Sequence, residues 1–353
     1  MKNKPTLLSY KGFPYIELSH TPTPLEHLKN LSTALQGPNI WVKRDDCTGL
    51  AMGGNKSRQL AFYIGEALDK GADTILTSGA IQSNQVRMAI AAARKAGLDI
   101  EVQLEQRVEG RQKEYYESGN PLLIHLMGAT VHYLPAGEDE KAADIALFQR
   151  AEYLKTKGKK PYVIPLSGEA LPIGSLGYIK CAEELLQQSA SHNTPINAIV
   201  LASGSATTHS GLLTGLRALK SDIPVYGFCV RRDKQSQLTR VQNKTQKLME
   251  MLAAPDVVQN TDIWLDDHML RPGYGQINSD VVEAIRLCAF HEGLLLDPTY
   301  TGKSMAGLLS LIKKNYFLPT DNVVFLHTGG APGIFGYPEL VNEVQATYKN
   351  TVE

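Results

Sequence analysis

The chain has 353 residues, 43% hydrophobic and 20% charged, which is enough for two domains or one large α/β domain. Its 36 Lys plus Arg balance 36 Asp plus Glu, so no global charge argues for nucleic acid or an anionic membrane, and only a local phosphate site stays open. Cys47, Cys181, Cys229 and Cys288 form no CxxC pair and predict reduced, mostly buried thiols in a cytoplasmic protein; no secretory signal shows in Met1 to Ser19, and no run reaches transmembrane length.

From Ile40 onward, short β-rich runs alternate with helical patterns. Strands are predicted over 40–42, 74–76, 100–104, 162–164, 198–201, 225–228 and 323–326, and helices over 56–70, 83–95, 138–157 and 175–188. Strands alternating with helices of this length predict an α/β chain with mostly parallel sheets covered on both faces. The turn Pro165-Leu166-Ser167-Gly168-Glu169 reads as a return point between two α/β units. Ligand sites in such sheets lie at the carboxyl ends of strands, and the polar, glycine-rich segments of this chain fall there.

The first such segment is Leu50-Ala51-Met52-Gly53-Gly54-Asn55-Lys56-Ser57-Arg58. Two glycines allow close backbone approach, and a single lysine follows them into a helix. A lysine so presented suits a Schiff base with an aldehyde cofactor; the plainer reading is a solvated lysine after a Gly-Gly turn. Next, Thr77 to Arg87 places Ser83, Asn84 and Gln85 at a helix start after a strand. Free N–H groups there favour an anion such as a carboxylate, while Ser83 taken alone reads as a helix cap. Ala202 to Gly211 follows another strand, and its Gly, Ser and Thr residues either cradle a phosphate or form a polar turn; His209 in it reads as a structural hydrogen-bonder. Leu296 to Ser304 contains Gly302-Lys303-Ser304, but the glycine a P-loop needs six positions before the lysine is Asp297. That leaves a proline-marked turn into a helix. Finally, His327-Thr328-Gly329-Gly330-Ala331-Pro332 closes an apolar strand with a glycine-rich turn.

Taken in this order, with Thr21-Pro22-Thr23-Pro24-Leu25, Val42 to Asp46 and Arg271 to Gly275, these segments resemble the pyridoxal phosphate (PLP)-dependent D-cysteine desulfhydrase and aminocyclopropane-carboxylate deaminase family, of the tryptophan synthase β-like fold. The resemblance covers nearly the whole chain. It implies two open, mostly parallel three-layer α/β/α domains of fold type II. The larger, PLP-binding domain would comprise 1–55 and 168–353 and the smaller 56–167, with the active site in the cleft between them. It further implies that Lys56 is the Schiff-base lysine, that Asn84 contacts the PLP hydroxyl, and that Gly204, Ser205, Ala206, Thr207 and Thr208 hold the phosphate. Thr328 would face the pyridine nitrogen, Tyr274 and Tyr300 would flank the substrate, and Ser83 and Gln85 would lie near its carboxylate. A homodimer is implied, and no metal.

The same resemblance separates two activities. Deaminases of the cyclopropane type have a glutamate facing the pyridine nitrogen where this chain has Thr301. A neutral partner, with only Thr328 nearby, leaves the ring nitrogen less reason to be protonated, and a weaker electron sink suits β-elimination. The expectation is therefore β-elimination from D-cysteine, giving pyruvate, sulfide and ammonium. Gln85, where desulfhydrases often have His, is more deaminase-like, and Thr207 replaces a glycine usual in the desulfhydrase loop. Ring-opening deamination, elimination from D-serine or cysteate, and a PLP carrier or sensor without turnover are the alternatives.

Overall fold

Ten strands form two sheets in the computed structural model, which describes residues 10–135, 137, 139–167, 170–254 and 256–349. In chain order they are β1 (Leu25–His27), β2 (Asn39–Lys43), β3 (Thr74–Ala80), β4 (Asp99–Glu105), β5 (Thr130–Leu134), β6 (Pro161–Ile164), β7 (Ala198–Ser203), β8 (Val225–Cys229), β9 (Ile263–Asp266) and β10 (Asn322–Leu326). The larger sheet runs β1-β2-β10-β7-β8-β9 and the smaller β5-β4-β3-β6. Every pairing is parallel except that of β1 with β2.

The helices are α1 (Lys29–Leu35), α2 (Lys56–Asp69), α3 (Asn84–Lys95), α4 (Lys113–Glu117), α5 (Asn120–Leu126) and α6 (Glu140–Thr156) in the first half. The second half adds α7 (Leu176–Ser191), α8 (Thr207–Ala218), α9 (Lys234–Met251), α10 (Ser279–Glu292), α11 (Thr301–Lys313) and α12 (Glu339–Lys349). Parallel strands need crossovers, and helices covering both faces explain why β3 and β8 are buried at every position. Ile75, Val200, Phe228 and Phe325 are buried in one continuous core.

All seven expected strands form, each within a few residues of its predicted bounds. Three more were not expected. β1 has only three residues, and β5 and β9 are partly exposed edge strands in which His132, Tyr133 and Trp264 blur an apolar pattern. The helix expected from Glu138, which lies outside the described residues, begins at Glu140, because the Asp139 carboxylate accepts from the N–H groups of Lys141 and Ala142 at 3.0 Å. Of the turn expected at 165–169, Gly168 and Glu169 lie outside the described residues. Cys181, Cys229 and Cys288 are buried and free, whereas Cys47 is exposed.

One buried ionic cluster fixes α2 on the larger sheet. The Arg58 guanidinium donates to Asp45 at 2.9 and 3.0 Å, to Glu184 of α7 at 3.0 and 3.1 Å, and to the Thr23 hydroxyl at 3.0 Å. Lys43 pairs with Glu184, and the Tyr178 hydroxyl donates to Asp45 at 2.6 Å. Burial would raise the Asp45 carboxyl, but Arg58 and Lys43 outweigh it and hold the group below its ordinary value. The first turn of α2, which carries Lys56, is therefore tied to β2 and α7 together.

Candidate active site

A cavity opens where the carboxyl ends of β3, β7 and β10 converge, lined among others by Gly79, Ala202 and Thr328. The start of α2 reaches it because two glycines let the chain through. A Cβ on Gly53 would stand 1.8 Å from the Asp46 carbonyl oxygen, and one on Gly329 would stand 2.6 Å from the Gly54 Cα. Gly53, Gly54 and Gly329 all have positive φ. The Asn55 N–H donates to the Thr328 carbonyl at 3.0 Å, and Arg87 of α3 donates to the Gly53 carbonyl at 2.9 Å.

Lys56 projects into this cavity, where its ammonium donates to Gln59 Oε1 at 3.2 Å. Among the described residues no acid pairs with it, and burial lowers its pKa to about 8. Gln59 Nε2 in turn donates to the Thr208 hydroxyl at 3.0 Å, as does Asn55 Nδ2 at 3.0 Å. With two donors on its oxygen, the Thr208 hydroxyl is left to donate its own proton into the cavity.

Gly204, Ser205, Ala206, Thr207 and Thr208 line the same wall, where β7 turns into α8. The left-handed residue of the turn is Ala206, with φ 68°, and Thr207 is the first residue of the helix. The exposed N–H groups of this helix start face the cavity with the Thr207 and Thr208 hydroxyls, a donor set suited to a phosphate. Lys244 of α9, buried behind it, donates to the Thr207 hydroxyl at 3.3 Å. Burial pulls its pKa down to about 7.

On the facing wall, Ser83 caps α3 by accepting from the Val86 N–H at 3.2 Å, and Ser83, Asn84 and Gln85 all line the cavity. The cap reading of Ser83 is met, and because its oxygen accepts there its proton stays available. Asn84 Oδ1 accepts from Arg87 and from Asn120, each at 3.0 Å, which turns its amide NH2 outward as a donor. Tyr274 and Tyr300 close a third side with their hydroxyl oxygens 2.6 Å apart. Burial, then Tyr274, hold the Tyr300 phenol well above its ordinary value and hence protonated.

Thr301 is not on the cavity wall. Its hydroxyl donates to Asp297 Oδ1 at 2.7 Å and accepts from the Asp297 N–H at 2.8 Å, whereas Thr328 lines the cavity. The neighbouring Gly302-Lys303-Ser304 turns its donors to main chain: Lys303 Nζ donates to the carbonyls of Leu270 and Gly273 at 2.8 and 2.6 Å, and Ser304 to those of Tyr300 and Thr301 at 3.2 Å. His209 shares a 3.1 Å hydrogen bond with Ser203, and burial pushes it down to about 4. It is neutral and structural.

Several lining residues carry no signal in the sequence. Lys244 reads as one polar position of the long α9, and Glu140 reads as an ordinary first-turn acid. In the structure Glu140 accepts from Arg231, Arg232 and Arg240, while Arg240 also donates to the Ser205 carbonyl at 3.2 Å and the Leu166 carbonyl at 2.6 Å. Arg107 lines the cavity too, held by Glu105 at 2.8 Å. Spacing along the chain reveals none of these contacts.

The set as a whole suits PLP: an amine largely uncharged above pH 8, a helix start with a buried lysine for phosphate, an outward amide and a hydroxyl for the ring. Comparison with known proteins agrees. Residues 16–329 match the family model described as pyridoxal-phosphate dependent enzyme. The chain is 42% identical over 325 residues to a D-cysteine desulfhydrase of Salmonella paratyphi C (strain RKS4594), covering 92% of this chain and 96% of that protein. It is 41% identical over 327 residues to one of Serratia proteamaculans (strain 568), with the same shares covered. A solved structure of an ACC deaminase homologue superposes with a TM-score of 0.85 at 35% identity, over 96% of this chain and 99% of the other. O-ureido-L-serine synthase, at 16% identity and a TM-score of 0.66, over 92% of this chain and 93% of the other, shares the fold.

Proposed function

The chain belongs to the pyridoxal-phosphate dependent enzymes, and from that membership we propose that it is a lyase removing sulfide from D-cysteine by β-elimination. When bound, PLP supplies the electron sink that makes an α-proton of an amino acid removable. Lys56 is the base: an amine whose pKa burial has lowered to about 8 is part neutral near pH 7 and accepts a proton readily. The N–H groups at the start of α3, with Ser83 and Gln85, hold the substrate carboxylate. Tyr300, kept protonated, meets the departing sulfur as a hydrogen-bond donor, with Tyr274 fixing its hydroxyl. The Cβ–S bond breaks as the α-proton leaves. Hydrolysis of the released enamine then gives pyruvate and ammonium, with sulfide as co-product.

The observation that carries this reading is the Lys56 amine facing a hydroxyl pair across one cavity, in a chain 42% identical to D-cysteine desulfhydrases. Gln85 and the superposition on an ACC deaminase homologue favour ring-opening deamination as the second reading. Thr301 no longer discriminates directly, since its hydroxyl is spent on Asp297; a neutral ring partner rests on Thr328. A parallel assay of the PLP-loaded enzyme for sulfide from D-cysteine and α-ketobutyrate from aminocyclopropane carboxylate tests the choice. Ketobutyrate as main product overturns the proposal, and loaded protein without any product, from D-serine and cysteate as well, favours a carrier or sensor.

The two sheets support a division into a larger unit of 1–55 and 168–353 and a smaller one of 56–167, with the site in the cleft between them. A cytoplasmic homodimer follows from the family resemblance, and sedimentation of the loaded enzyme tests the dimer. Among the described residues no helix is long and apolar enough to cross a membrane.

A further inference from the structure

The Gly302-Lys303-Ser304 triplet is left over once its lysine is seen to face main-chain carbonyls rather than the cavity. Lys303 is fully buried in the first turn of α11 and spends its ammonium on two main-chain carbonyls, Leu270 at 2.8 Å and Gly273 at 2.6 Å. The first carbonyl immediately precedes the short loop Arg271-Pro272-Gly273-Tyr274-Gly275, and the second lies within it, just before Tyr274. The same turn of α11 follows directly on Tyr300, whose hydroxyl is 2.6 Å from that of Tyr274. One helix start thus carries one tyrosine of the pair and grips the loop that carries the other.

We propose that Lys303 is a positioning residue for the reaction: its ammonium ties the 270–273 backbone to α11 and so sets Tyr274 against Tyr300 in the cavity. The inference rests on the substrate-facing role given to this pair under the proposed function. A buried ammonium is costly unless its hydrogen bonds and a counter-charge offset the lost hydration. Asp297, at the head of the same turn, supplies the negative charge, although burial dominates and lowers the Lys303 pKa to about 8. No apolar or hydroxyl side chain of that position spans from α11 to two carbonyls at once.

The far end of the loop is held separately. The Gly275 carbonyl accepts from the Tyr337 hydroxyl at 2.9 Å and from Arg111, and Tyr337 is braced by Thr299 at 3.1 Å. Gly275 has φ 65°, and its near neighbour Gln276 closes a turn onto the Gly273 carbonyl at 3.3 Å. Releasing Lys303 therefore frees one end of the loop while the other stays clamped. Tyr274 swings rather than departs.

A double-mutant cycle on the PLP-loaded enzyme tests this, with kcat and KM for D-cysteine read for Lys303→Met, Tyr274→Phe and the pair. Lys303→Met is expected to lower kcat about 30-fold, a displacement of an ångström at a reacting group being enough, with KM within about threefold. In the Tyr274→Phe background the same substitution is expected to cost under about threefold, because the residue it acts through is already disabled. Hydrogen exchange of the Gln276 amide, which donates to the Gly273 carbonyl, is expected to quicken at least about tenfold in Lys303→Met. Equal losses in both backgrounds, no loss in either, or unchanged exchange overturns the inference. A Tyr274→Phe enzyme with unaltered kcat overturns instead the role of Tyr274 on which it rests. Should Lys303→Met fail to fold, Lys303→Gln is carried through the same cycle against the same outcomes.

Discussion

Lys56 and Thr208 are joined through one side chain: Gln59 accepts from the Lys56 ammonium at 3.2 Å and donates to the Thr208 hydroxyl at 3.0 Å. Both bonds come from the first turn of α2, so the amine and the anion cradle are aligned by a single amide. Gln59→Met keeps the length and removes both bonds. Each is worth about 1 kcal/mol, so the PLP dissociation constant measured by equilibrium dialysis should rise about 5- to 30-fold.

Lys56→Ala should abolish turnover and the visible absorbance that PLP-loaded protein shows, while leaving the far-ultraviolet circular dichroism unchanged. Retention of either activity or absorbance contradicts the assignment of the amine.

The pH dependence of cofactor uptake follows from the same lysine. Burial disfavours the ammonium and brings its pKa from 10.5 to about 8. Below that value the amine is protonated and does not attack an aldehyde. The rate at which apoprotein develops visible absorbance on adding PLP should therefore climb about fivefold from pH 7 to 8, about tenfold from pH 7 to 9, and level off above that. A profile still rising at pH 10 would mean an ordinary, solvated lysine.

Lys244 stands behind the Thr207 hydroxyl with its pKa pulled down to about 7 by burial. An arriving phosphate supplies the negative charge it lacks and should draw it into the charged form. Lys244→Met is expected to weaken PLP binding by about 1.5 to 3 kcal/mol, roughly 10- to 150-fold, and to weaken pyridoxal binding much less. Equal losses for the two would place the lysine's effect away from phosphate.

Removing one partner of the buried cluster is a test of the fold. Arg58→Met leaves Asp45 without its main counter-charge and should lower the unfolding free energy by about 3 to 5 kcal/mol in urea. Replacing an exposed pair, Lys113→Ala at Glu117, should change it by under about 1 kcal/mol.

The parallel sheets and the main loops were legible because fully buried strands read as short apolar runs and because helix starts need glycine, serine or threonine at their turns. Lys56, Asn84 and the 204–208 loop belong to such turns. The edge strands β5 and β9 were not legible, since half-exposed strands mix polar residues into the pattern. Lys244 and Arg107 reach the cavity from positions distant from the marked loops, and Gln59 from one turn into α2, where nothing in the local sequence marks them. Thr301 shows the opposite failure: its place in the motif suggested the cavity, and a local hydrogen bond to Asp297 turned it away.

Where the loop before Lys56 meets the end of β10, backbone lies on backbone: a Cβ on Gly329 would stand 2.6 Å from the Gly54 Cα and 3.4 Å from the Gly53 carbonyl oxygen. Any side chain at Gly329 would push these two main chains apart. The distance from the lysine's helix to the strand that carries Thr328 is accordingly gauged by bare backbone, so that a single added methyl group would be felt at the amine.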